Sequence, residues 1–227
     1  VSTVRGGKSA GDFEGSNPVR GVPIYYYLAE ELETTGKESQ LSIYLLGAGD
    51  RPVRSYSSQE RDSDRCKIAN MDPRSPFELE YPPTKQGLNV WHWDMKSEGV
   101  TCVEGVAMFA GFDGPGVAPG DYKVRVSIEG EEQTVPVTLV MDPRMSASIE
   151  EIGFWSARLE EVTSLLDDVL TSLDGLRRAQ KQIEALMADY SGDARLQWVG
   201  TEAIRHIEAW DAEINQVLHQ TYEDEDA

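Results

Sequence analysis

The hydrophobic period of this 227-residue chain changes once, at Asp142-Pro143, and that change restricts the fold more than any other feature. Before it, apolar residues recur at every second position. Tyr122, Val124, Val126 and Ile128 alternate with Lys123, Arg125, Ser127 and Glu129, the pattern of a strand with one buried face. Gly130-Glu131 allows a tight turn, and Val135, Val137, Leu139 and Met141 alternate on the return. Pro136 cannot donate to a ladder, so it predicts an edge position or a bulge for that return strand. Leu41, Ile43 and Leu45 mark an earlier strand, preceded by Ile24-Tyr25-Tyr26-Tyr27-Leu28. Leu88 to Met95 marks another, with Trp91, Trp93 and Met95 on one face. Short strands separated by Gly/Pro loops, with no helical pattern between them, predict a β-sandwich over residues 21–142.

After Pro143 the spacing becomes helical. Ile152, Trp155, Leu159, Val162, Leu166, Val169, Leu173 and Leu176 follow intervals of three and four, and the frame continues through Gln180, Ile183, Met187 and Tyr190. One helix is therefore expected from Ser148 to Tyr190, about 60 Å long at 1.5 Å per residue. Ser148 and Glu151 fit a capping box, and Gly175 is the weak point. Ser191-Gly192-Asp193 breaks the run, with Asp193 or Ser191 placed to cap a second helix striped by Leu196, Val199, Ala203, Ile207, Trp210, Ile214 and Val217. The two make an antiparallel helical hairpin over 143–222, followed by an acidic tail at 223–227. The first helix outruns the second. Ile152, Phe154, Trp155, Leu159 and Val162 are left without a partner in the hairpin, and Phe154, Trp155 and Leu159 are the expected interaction surface. Contact with the sandwich is the favoured cover for Phe154 and Trp155, with a homodimer through the helices as the alternative.

Charge limits the partners. The formal net charge is −19, which repels phosphate backbones and disfavours nucleic acid or an anionic membrane. No apolar run approaches the roughly 18 residues of a membrane span.

The residues suggest no reaction. Arg5-Gly6-Gly7-Lys8-Ser9 lacks the first Gly of a phosphate loop and its flanking strand and helix, so residues 1–20 read as a flexible leader. Asp62-Ser63-Asp64 lacks the Gly and Glu of a calcium loop. His92, His206 and His219 have no metal spacing, and no nucleophile–base–orienter set can be assembled. No catalytic, cofactor-binding or metal-binding residue is therefore assigned. Trp91 with Trp93, and Tyr25 with Tyr27, each share a strand face, as a sugar-stacking platform or a core would require; core is favoured for the tryptophans because Met95 continues their face. Cys66 and Cys102, the only cysteines, pair as a disulfide in an oxidising compartment and stay free thiols in a reducing one.

Four segments carry a resemblance. Asn17-Pro18-Val19-Arg20-Gly21 runs into the Ile24–Leu28 strand; Gly87-Leu88-Asn89-Val90-Trp91-His92-Trp93-Asp94-Met95 resembles a Gly-Leu-Asn-Arg-Phe-x-Trp-Asp-Leu segment; Pro119-Gly120-Asp121-Tyr122-Lys123-Val124-Arg125-Val126 resembles a Pro-Gly-x-Tyr-x-Val-x-Leu strand; and Val140-Met141-Asp142-Pro143-Arg144 is similar to an Asp-Pro-Arg exit into helices. Together they resemble the C-terminal region of large secreted bacterial proteins with sortilin-like or BNR-repeat β-propellers, often labelled glycosyl hydrolases. Val90 stands in place of the basic residue and Trp91 in place of the Phe, and the Ser-x-Asp-x-Gly-x-x-Trp propeller repeats are absent. The resemblance implies an immunoglobulin- or fibronectin III-like sandwich with a helical tail, export to the periplasm or beyond, and an upstream propeller as partner. It implies a non-catalytic accessory role, stabilising the propeller protein or presenting a protein- or glycan-binding surface; the alternative is a piece of a glycoside hydrolase or other hydrolase whose catalytic residues lie mainly outside this chain.

Overall fold

The computed structural model describes residues 19–32, 41–61, 66, 80–106, 108 and 111–215. The leader through Pro18, Asp62-Ser63-Asp64, Val217, His219 and the acidic tail lie outside them.

Among the described residues, six strands precede two long helices: β1 (Val22–Leu28), β2 (Leu41–Leu46), β3 (Pro52–Ser57), β4 (Gly87–Trp93), β5 (Gly120–Ile128) and β6 (Glu131–Leu139), then α1 (Ile149–Asp189) and α2 (Ala194–Ile214). The strands form two antiparallel sheets, β1-β4 and β3-β2-β5-β6. Alternation decides which side chains go in. Ile24, Tyr26 and Leu28 of β1 meet Leu41, Ile43 and Leu45 of β2 in one core with Val53, Trp93 and Val124. Tyr25 and Tyr27, on the other face of β1, stay exposed. Glu129 and Gly130 both take positive φ, 50° and 89°, giving the two-residue turn that suits the twist of the β5–β6 hairpin. Pro136 lies on β6 at the sheet edge, where a missing N–H costs no ladder bond.

β4 ends two residues before the expected Met95. Asp94 Oδ1 accepts the Lys96 N–H at 3.1 Å, and Met95 takes φ 59°, so the chain turns and leaves the Met95 side chain exposed. Trp93 is fully buried, and its indole N–H donates to the Lys96 carbonyl at 2.9 Å. β3 gave no clear sequence signal: Val53 is its only well-buried residue.

Helix α1 is continuous across Gly175. A mid-helix glycine costs about 1 kcal/mol, which the packing on both sides of it outweighs. At its start, Ser148 Oγ accepts the Glu151 N–H at 3.1 Å, and the Glu151 carboxylate accepts the Ser148 N–H at 2.8 Å. At the start of α2, Asp193 Oδ1 accepts the N–H groups of Arg195 and Leu196, both at 3.0 Å.

The α2 stripe departs from expectation. Gly200 and Ile207 are buried, with Leu196, Ile204 and Asp211 half-buried, whereas Val199, Trp210 and Ile214 are exposed. The contact face is turned by about one residue. Gly200 explains much of this: a Cβ there would lie 2.3 Å from Met187 Sδ and 3.3 Å from Ile183 Cγ2, so α1 packs against bare backbone. Asp211 is held on the same side by Arg177, whose Nη2 donates to Asp211 Oδ1 at 2.8 Å. A second core joins α1 to the loop after β4, with Leu170 and Leu173 packed against Val100, Val103, Val106 and Phe112.

Candidate functional site

The helical repeat gives α1 two unlike sides. Glu160, Ser164, Asp167 and Thr171 recur on one face, and the first three line a cleft of about 640 Å³ with Arg51, Val53, Glu98 and Tyr122 of the sandwich side. Polar contacts tie this face down. Arg51 Nη1 donates to Glu160 at 3.0 Å, the Thr101 N–H donates to Asp167 Oδ1 at 2.6 Å, and the hydroxyls of Thr101 and Thr171 are 3.2 Å apart.

The apolar stripe lies roughly 150° around the helix, pointing away from the sandwich. Trp155 is 65% exposed, Val162 61% and Leu159 48%, with Leu166 and Val169 also open. Phe154 and Leu165 widen the stripe on one flank. This corrects the expectation that Phe154 and Trp155 dock on the sandwich. Their rings touch only each other's edge, 5.6 Å between centroids, and the Arg158 guanidinium lies 5.5 Å from the Phe154 ring centre. The physical reason is charge: Glu160 and Asp167, on the opposite side, find a cation and a backbone donor on the sandwich side, and one helix cannot turn both faces inward. Leu173, on the stripe five turns beyond Trp155, is fully buried because Val100, Val103, Val106 and Phe112 pack against it and Leu170.

Glu98 accepts from the Ser55 N–H and hydroxyl at 3.0 and 3.1 Å, and Glu161 pairs with Arg158 outside the cleft's polar contacts. Every carboxylate there is already held by a donor. Nearby, Arg54 lies 3.7 Å from Asp94 and 4.0 Å from Asp113, donates to the Ser97 carbonyl at 2.8 Å, and stacks 5.2 Å from the Tyr56 ring centre. Burial pushes the Tyr56 phenol above its ordinary pKa, so it stays protonated and donates to Asp94 Oδ1 at 3.1 Å. The network fixes the loop after β4 to β3.

Trp91 and Trp93 form no sugar platform: Trp93 is buried and Trp91 packs edge-on to Tyr56 at 5.2 Å. Tyr25 and Tyr27 are exposed beside their cross-strand neighbours Val90 and Leu88. His206 is exposed next to Arg205, and among the described residues no group of three or more His, Cys, Asp or Glu could hold a metal. Cys66 and Cys102 are joined in a disulfide with Cα atoms 5.9 Å apart. No described helix is long and apolar enough to cross a membrane.

Sequence reasoning missed Gly200, Arg177 and Asp211, which set how the hairpin closes. The available signal was a glycine in mid-helix and an arginine beside an apolar frame. Comparison with known proteins returns no matching family model, curated protein or solved structure.

Proposed function

We propose that this chain is a non-catalytic interaction region: an immunoglobulin-like sandwich that holds a helical hairpin as a docking arm, within a larger exported protein built around a β-propeller. The observation that supports it best is the stripe Trp155, Leu159, Val162, Leu166 and Val169, open along one side of α1 and directed away from the sandwich. Monomer surfaces seldom leave so contiguous an apolar patch uncovered, and those that do are commonly sites of protein association. The Cys66–Cys102 bond suits an oxidising compartment, in keeping with export. The carboxylates of the cleft, each already engaged by a donor, favour scaffold over hydrolase.

A photo-reactive benzophenone amino acid at Val162, in the protein within its producing cells, tests the reading. Irradiation should give an adduct with a polypeptide, whereas the same label at Ser164, on the cleft side, should not. Capture from Ser164 alone, or turnover of glycosides or peptides by the purified chain, would contradict it.

A further inference from the structure

We infer that the occupant of the α1 stripe is a second copy of this chain, its α1 running antiparallel. This rests on the reading of the stripe as a docking surface and names the partner.

Three observations carry it. The first is area. Phe154, Trp155, Leu159, Val162, Leu165, Leu166 and Val169 are between 37% and 65% exposed, and for side chains of ordinary size that leaves roughly 800 Å² open, about what each partner gives to a standard-size interface.

The second is register. In a two-fold interface residue i of one chain meets j of the other and j meets i. Antiparallel layering of the three-four repeat places Ile152 of one chain against Val169 of the other, Trp155 against Leu166, and Leu159 against Val162, each layer occurring twice. Every exposed position along the middle of the stripe is then used, with Phe154 and Leu165 bordering it on one flank, and the largest side chain faces a Leu rather than its own copy.

The third is charge. The carboxylates of Glu160, Glu161, Asp167 and Asp168 lie about 130° from the middle of the stripe, so they point away from the seam. The positions that flank it carry Ser156 and Thr163 on one side, and Arg158 and Leu165 on the other. Like flanks meet in a two-fold contact, so Arg158 of one copy faces Leu165 of the other, and Glu151, about 40° from the middle of the stripe, lies at the end of the seam, where the capping box engages it. The helix is already folded, held by its capping box, the Asp167–Thr101 bond and the second core, so association need not order it.

Sedimentation velocity on the whole chain should give twice the chain mass at high micromolar concentration. Because each copy carries −19, added salt should strengthen the association by screening. Trp155→Glu and Leu166→Lys, each at an exposed site, should separately give folded monomers. Mixed in equal amounts they should recover a heterodimer, since one layer then sets the new carboxylate against the new ammonium while its twin keeps the native Trp–Leu pair. A wild-type chain that stays monomeric in high salt overturns the proposal, as do variants that remain dimers or a mixture that stays monomeric. A monomeric wild type whose Val162 label still captures a different polypeptide leaves the docking surface standing and removes only the second copy.

Discussion

The backbone N–H of Thr101 donates to the carboxylate of Asp167 at 2.6 Å, joining the loop after β4 to the middle of α1. This contact fixes the rotation of the helix. With Asp167 and Glu160 engaged on the sandwich side, the stripe from Trp155 to Val169 can only face outward. A charge-assisted hydrogen bond of this kind contributes about 1.5–3 kcal/mol, while turning the helix over would strand a carboxylate beside apolar groups.

Trp93 is the largest fully buried side chain of the sandwich. Replacing it with Ala should cost about 3–5 kcal/mol in chemical unfolding. Tyr25→Thr, on the exposed face of β1, should move stability by no more than about 0.5 kcal/mol.

Two helix glycines should respond in opposite directions. At Gly200 a new side chain meets Met187 and Ile183, so Gly200→Val should lower the melting temperature and loosen the hairpin, at about 1–3 kcal/mol. At Gly175 nothing lies within 4 Å of an added Cβ, so Gly175→Ala should stabilise α1 by about 0.5–1 kcal/mol. Thermal denaturation of the two variants beside the wild type checks both signs.

The capping box gives a pH dependence with a definite sign. The hydrogen bond from the Ser148 backbone N–H, and then that with the Ser148 side chain, hold the Glu151 carboxyl below its ordinary 4.5. A depressed carboxyl contributes its stability in full above the ordinary value and loses it as pH falls through the lowered one. An NMR titration of Glu151 should show a midpoint below 4.5, and Glu151→Gln should remove this component of acid sensitivity. A midpoint at or above that value would contradict the cap.

The Cys66–Cys102 bond closes a loop of 36 positions, and removing it should cost about 3–4 kcal/mol in a chain-entropy account. Thiol titration of the denatured, unreduced protein should find no free thiol, and two after reduction. Two reactive thiols before reduction would count against the bond and against an exported protein.

Period-2 alternation was enough to read β2, β5 and β6, and Pro136 as an edge or a bulge, because alternate residues face one core, fully buried along β2 and only half-buried at Val137 and Leu139 of β6. The cap Ser148 was legible because its bonds are local, and the second cap was narrowed to Asp193 or Ser191, of which Asp193 caps α2. β3 was not, since its contacts with the loop after β4 depend on Arg54 and Tyr56 reaching residues about 40 positions away. The α1 stripe was read correctly as apolar and wrongly as covered near Trp155. Periodicity identifies a face, but Asp167 and Glu160 decide which way it points, through partners at Thr101 and Arg51 that no local pattern reveals. The same holds for α2, where Gly200 and the Arg177–Asp211 pair outrank the larger apolar residues.

Unfolding of Leu173→Ala beside Trp155→Ala, at concentrations low enough that each chain is alone, separates the covered part of the α1 stripe from the open part. Both residues belong to one stripe, yet Leu173 is fully buried and Trp155 is 65% exposed. Leu173→Ala should cost about 2–5 kcal/mol, and Trp155→Ala no more than about 0.5 kcal/mol. A comparable loss at Trp155 would mean that the outward face is packed within the chain, contradicting the docking surface on which the account rests.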